Sequence, residues 1–151
     1  MHHKVLLWRH AEDTSEKRLR YDTELRDDQE CIIIDLVKTE SIYHSPEVIW
    51  TSPYRRCRKT AKIMAKTLNI PVMIDVRLSR YMKAGHIHKS TAKFEPMTWS
   101  SRKCFAEDQR QVLKHRKNCW FVTHAYNIKT IAKIAGYKTE DYLDFLHKFY
   151  V

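Results

Sequence analysis

Residues 4–13 read KVLLWRHAED. Val5, Leu6, Leu7 and Trp8 make a short apolar run of the kind found in strands buried on both faces, and the run stops at Arg9 and His10. A surface strand has no reason to end in two side chains that bind or attack anions. In an open α/β sheet, by contrast, ligands lie beyond the carboxyl ends of the strands. The stretch therefore sets a test, which is whether other strands in the chain end in the same way.

Three more short runs rich in β-branched or aromatic residues are present, Val48–Thr51, Val72–Asp75 and Cys119–Thr123. The second strand leads into Ser52-Pro53 and then Arg55-Arg56, and the last leads into His124. Helical patterns separate them. Asp27 or Asp28 can cap a helix running through Ile32, Ile33, Leu36 and Val37, although Cys31–Ile34 alone also suits a strand. Cys57, Ala61, Met64, Ala65 and Leu68 recur at helical spacing with Arg58, Lys59, Lys62 and Lys66 facing away, which predicts a helix over Pro53–Leu68 capped by Ser52. Further helices are predicted over Asn127–Ala135 and, capped by Thr139, over Thr139–Phe149. Alternating strands and helices with short connections predict an α/β fold, a three-layer sandwich with a mainly parallel central sheet flanked by helices. A single domain over 1–151 is expected, with residues 79–104 as a cover segment over the site.

The chain has 28 Lys and Arg against 18 Asp and Glu, a net charge of +10. Such an excess favours anionic partners. It is concentrated between Arg77 and Lys117, with 11 basic and 3 acidic residues. Cys31, Cys57, Cys104 and Cys119 form no C-x-x-C pair, as expected of reduced thiols in a cytoplasmic protein. No stretch approaches the roughly 18 apolar residues of a membrane span, and Val5–Trp8 is too short for a signal-peptide core, so no membrane association is expected.

Taken singly, an Arg-His pair after a strand is an ordinary surface pair and Ser-Pro-x-x-Arg an ordinary helix start. Together they carry more. RHAE at Arg9–Glu12, SPYRRCRKTA at Ser52–Ala61 and CWFVTHAYNI at Cys119–Ile128 resemble, in order, the signatures of the histidine phosphatase superfamily, also called phosphoglycerate mutase-like. The resemblance implies a metal-independent, cofactor-free phosphatase. His10 would attack phosphorus and carry the phosphoryl group, while Arg9, Arg56 and His124 surround its oxygens. Ser52, at the predicted helix start, would add to the substrate pocket. Arg55 falls on a position the family leaves variable and is expected to face solvent.

The chain departs from the family pattern at informative places. Ala11 stands where the family has glycine, which implies a backbone that either keeps negative φ there or tolerates modest strain. Many mutase-like members carry a glutamate as proton donor where this chain has Arg80, and the other large branch uses an aspartate where it has Ala125. The remaining donor candidates are Glu12 and Glu95, with Asp75 weaker because it sits at a strand end and suits a turn cap. Arg80 is instead expected to hold an anionic group of the substrate. A mutase is disfavoured, and the expected substrate is a phosphorylated small molecule or a phosphoprotein, as a monoester or phosphoramidate. Two other readings stay open, a catalytically weakened phosphate-binding relative and, less favoured, a nucleic-acid-binding module using the basic segment with Tyr81, Phe94 and Trp99. His86 and His88 have no nearby carboxylates and are not read as metal ligands.

Overall fold

The structure, a computed structural model, describes residues 5–13, 24–84 and 97–151. Among them five strands form one sheet: β1 Val5–Arg9, β2 Val48–Thr51, β3 Val72–Ile74, β4 Cys119–Thr123 and β5 Lys148–Tyr150, in the order β3-β2-β4-β1-β5. The β1, β2, β3 and β4 strands run parallel, and β5 pairs antiparallel with β1. Four helices accompany them: α1 Gln29–Tyr43, α2 Arg55–Leu68, α3 Arg102–Lys114 and α4 Ala125–Ile134. No helix among the described residues is long and apolar enough to cross a membrane.

The unbroken apolar runs of β1 and β4 follow from their central place. Successive strand side chains point to opposite faces, and here both faces are covered. Leu6, Trp8, Trp120 and Val122 pack on one side with Ile33 and Val37 of α1 and Cys57, Ala61 and Met64 of α2. On the other side Val5, Leu7, Cys119 and Phe121 pack with Val112 of α3 and Ile128 and Ile131 of α4. The expected three-layer α/β sandwich is therefore present. Its edge differs from expectation, because all three residues of β3 are exposed rather than buried on both faces.

Two helix expectations need correction, and one helix, α3, was not expected. Residues 139–149 do not form a helix; Lys148–Tyr150 is strand β5, and Leu146 adopts a left-handed φ of 55° that ends any helical run. The apolar residues whose spacing suggested a helix are divided among different neighbours. Leu143 enters the core, Phe145 lies against His10, and Phe149 pairs with Leu7. Helix α2 begins at Arg55 with Tyr54 as its N-cap residue, so Pro53 lies outside it and Ser52 does not cap it. Helix α3 occupies the end of the expected cover segment and the residues beyond it. Ser101 caps it by accepting from the Cys104 amide at 3.2 Å, and Phe105, Gln109 and Val112 line its buried face. At α1 the helical reading of Cys31–Ile34 holds, with Asp28 at the N-cap position but no side-chain capping bond.

Asp75 follows β3, as expected of a turn cap, and accepts from the Arg77 amide at 3.0 Å. Its buried carboxylate also accepts from Arg77 Nη2 at 2.8 Å and Arg116 Nη2 at 2.9 Å, and the Arg116 guanidinium lies 3.3 Å from the centre of the Trp50 ring. Burial raises the Asp75 pKa, but the Arg77 bonds and the two arginine charges outweigh it, and the net shift is downward. A depressed carboxyl pKa stabilises the fold above its unfolded value of about 3.9 and loses that contribution as pH falls through the folded value. Asp75→Asn is therefore expected to cost about 3 kcal/mol near neutral pH, because it strands a guanidinium pair. Urea unfolding at pH 7 and pH 3.5 checks this, since the gap between variant and wild type narrows at the lower pH.

Candidate active site

The parallel ladder β2-β4-β1 brings three carboxyl ends side by side. Arg9 is in register with Thr123, and the ladder continues past the strands through His10 N to Thr123 O at 3.2 Å and Ser52 N to Val122 O at 3.0 Å. His10, Ser52 and His124 consequently stand along one sheet edge. Arg56, in the first turn of α2, reaches in from above β2. All four are buried, with at most 4% of their surface exposed.

The hydrogen bonds fix the histidine tautomers. His10 Nδ1 lies 2.8 Å from the Ala11 carbonyl, which can only accept, so Nδ1 carries the proton and Nε2 keeps its lone pair. That lone pair faces Arg56, whose Nε donates to it at 3.2 Å. The other end of the same guanidinium, Nη2, lies 3.4 Å from His124 Nδ1. His124 then presents its Nε2–H to Ser52 Oγ at 2.8 Å. Arg56 thus spans two imidazoles whose centroids are 5.6 Å apart.

Both histidines are held well below the ordinary imidazole pKa. For His10 the largest cause is burial, followed by the Arg56 charge, with smaller contributions from Arg9 and Arg80. For His124 burial again leads, then Arg56. Neutral imidazole is the nucleophilic form, so the site is ready over the whole neutral range. In an NMR titration of the free protein, the His10 ring protons should move only below pH 6.5; a midpoint at or above that value contradicts the arrangement. Cys57 touches the cluster, 3.6 Å from His124 Nε2, but burial pushes its thiol up to about 12 and it stays protonated. It is not a competing nucleophile.

The Arg9 guanidinium donates to the Leu143 carbonyl at 2.5 Å and lies 4.3 Å over the Phe145 ring. Its charge acts on both histidines. Arg80 is also close enough to act on both. Its backbone approach is fixed, because Thr123 Oγ1 and Asn127 Nδ2 donate to the Leu78 carbonyl and Asn127 Nδ2 also to that of Ser79. Ser52 Oγ meets His124 Nε2 and also accepts from the Tyr54 amide at 3.4 Å, without capping α2. Glu12 turns to Arg26, 2.8 Å away, with about 40% of its side chain exposed. Arg55 faces outward and pairs with Glu24 at 2.9 Å. Ala11 keeps a negative φ, as expected for a residue with a Cβ, and its amide donates to Thr60 Oγ1 at 3.1 Å. Glu95, His86, His88 and Phe94 lie outside the described residues.

Four participants went unforeseen. Asp13 lies 3.8 Å from Arg56 Nε with 11% of its side chain exposed, yet in the sequence it is one acid in an acid-rich tract. The Tyr54 ring stands edge-on to His124 at 5.0 Å and lies 5.0 Å from the Arg56 guanidinium. Leu143 and Phe145 hold Arg9 from a segment that sequence periodicity assigned to a helix. Among the described residues, no three His, Cys, Asp or Glu side chains group as a metal site.

A family model described as histidine phosphatase superfamily (branch 1) matches residues 5–95. Among solved structures, the mycobacterial glucosyl-3-phosphoglycerate phosphatase is similar at 16% identity and a TM-score of 0.67, over 87% of this chain and 78% of that one. A phosphoserine phosphatase from Entamoeba histolytica, solved with 3-phosphoglyceric acid, has 16% identity and a TM-score of 0.67, over 97% and 89%. YhfR of Bacillus stearothermophilus has 17% identity and a TM-score of 0.70, over 97% and 89%. At these identities the likeness is one of fold. No curated protein matches the chain.

Proposed function

This chain belongs to the histidine phosphatase superfamily, branch 1, and from that premise we propose that it hydrolyses a phosphorylated substrate through a phosphohistidine on His10, without a metal ion. The observation that carries the reading is the His10 tautomer, with its Nε2 lone pair directed at a guanidinium that also reaches His124. In the first step Nε2 forms a bond to phosphorus as the bond to the leaving oxygen or nitrogen breaks, and the leaving atom takes up a proton from solvent. In the second, water attacks the same phosphorus and releases His10 and inorganic phosphate. Arg56 and Arg9 supply fixed positive charge to the equatorial oxygens, where it lowers the barrier most.

Arg80 occupies the place of the family's glutamate, and a guanidinium does not give up its proton. Substrates whose leaving group needs little protonation are therefore favoured, among them phosphoramidates and aryl esters. General-acid help is worth about 10²–10⁴-fold for poor leaving groups. Glu12 could serve as donor only by leaving Arg26. The same substitution supports the second reading, a phosphate binder with weakened catalysis. An aryl phosphate and a protein phosphorylated on histidine, each incubated with the full chain in excess chelator, decide between them. Turnover of both at unchanged rate in chelator is expected. Phosphate binding without turnover establishes the weakened relative, and activity that disappears in chelator and returns with a divalent ion overturns the metal-free scheme.

A further inference from the structure

Helix α2 carries charge that its own stability argues against. Its sequence, RRCRKTAKIMAKTL, contains no acidic residue, and its first turn, at the positive end of the helix dipole, holds Arg55, Arg56 and Arg58. On the outer face Arg55–Lys59, Arg58–Lys62 and Lys62–Lys66 are like-charged pairs at i,i+4, a spacing at which like charges destabilise a helix. Arg55 is paired with Glu24. Arg58, Lys59, Lys62 and Lys66 form no ion pair with a described carboxylate. None of the four touches the His10–Arg56–His124 cluster, so the phosphatase chemistry does not account for them.

These cations line a continuous groove. A cavity of about 550 Å³ between α1 and α2 is bordered by Lys38, Lys59, Lys62 and Lys66 against one acid, Glu30, with Ile34 and Ile63 among its lining side chains. An adjoining cavity of about 600 Å³ shares Lys59 and Lys62 and extends to Arg58 and to the Arg55–Glu24 pair, one residue from the catalytic cluster. Helix α2 has 14 residues, so the track is about 21 Å long. Cations outnumber acids along it, so its occupant is anionic on balance and offers something apolar to the two isoleucines. Among the described residues no aromatic side chain lines either cavity, so they offer bases no stacking platform. A concave channel with an aliphatic floor also fits an extended chain better than a flat lipid surface.

We infer that the α1–α2 groove docks an acidic segment of a partner polypeptide, its carboxylates meeting Lys38, Arg58, Lys59, Lys62 and Lys66 and an aliphatic side chain entering between Ile34 and Ile63. The inference does not depend on catalysis, and its test is a binding measurement. The full chain is titrated against a labelled 14-residue glutamate peptide with leucine at every fourth position, an all-glutamate peptide of equal charge, a 14-nucleotide RNA and anionic phospholipid vesicles. The leucine-containing peptide should bind tightest, and its affinity should fall as salt rises. The triple variant K59E/K62E/K66E should bind it at least tenfold more weakly. Its thermal midpoint should stay close to wild type, because the 55–59 and 58–62 pairs become attractive while the 62–66 pair stays like-charged and a carboxylate replaces Lys66 in the last turn. Undiminished binding by the triple variant, equal affinity for the two peptides, or tighter binding of RNA or vesicles overturns the inference, as does failure of the wild-type chain to bind either peptide.

Discussion

Replacing His10 with alanine is expected to lower turnover of an aryl phosphate at least about 10⁴-fold, the scale on which removal of a covalent nucleophile is felt. No other described group can take its place in the cluster. His124 offers its Nδ1 lone pair to Arg56 and its Nε2–H to Ser52, and the Cys57 thiol stays protonated to about pH 12. His10 is buried, so its loss leaves a small cavity beside Phe145, and a modest fall in thermal midpoint should accompany the change. To separate chemistry from folding, the wild-type protein is quenched during turnover and its label sought as acid-labile, base-stable phosphate, which His10→Ala must lack. If His10→Ala keeps more than a tenth of the wild-type rate, His10 is not the nucleophile.

Legibility in the sequence followed the range of the interactions concerned. Strands β1, β2 and β4 could be read because each is a short apolar run covered on both faces, and the residue after each run is then placed at the ligand edge by topology alone. This is why His10, Ser52, Arg56 and His124 were recognisable as neighbours although up to 114 positions separate them. Where a residue's role depends on which distant backbone meets it, the chain gave no sign. Residues 139–150 have a periodicity compatible with a helix, but β1 has an open edge, and pairing there requires an extended strand. Asp13 shows the same limit. Its carboxylate matters because Arg56 arrives beside it, and nothing in the sequence from Glu12 to Glu30 distinguishes it from the other acids there. Ser52 shows it too, since a serine before a proline looks like a helix cap, and nothing local reveals that its hydroxyl meets the imidazole of His124 besides the Tyr54 amide.

Arg56→Ala should have the second-largest effect, and its pH dependence separates the two tasks the residue performs. As a donor to a transferring phosphoryl group it contributes on the order of 3 kcal/mol, so kcat/KM for the aryl phosphate should fall about 10²- to 10³-fold at pH 8. The second task is electrostatic. Burial is the main reason His10 stays neutral, and the Arg56 charge is the next. Without that charge the His10 pKa rises toward the ordinary value, and more of the nucleophile is protonated as the solution is acidified. The deficit of Arg56→Ala should therefore widen between pH 8 and pH 6. Arg56→Lys tests the geometry apart from the charge. An ammonium group keeps His10 neutral but is a single point donor, unable to match the planar fork that meets His10 Nε2 and His124 Nδ1 at once. The lysine variant should lose rate by a factor that does not change with pH. A deficit that widens equally in Arg56→Lys and Arg56→Ala would mean that Arg56 does not control the protonation of His10 through its charge.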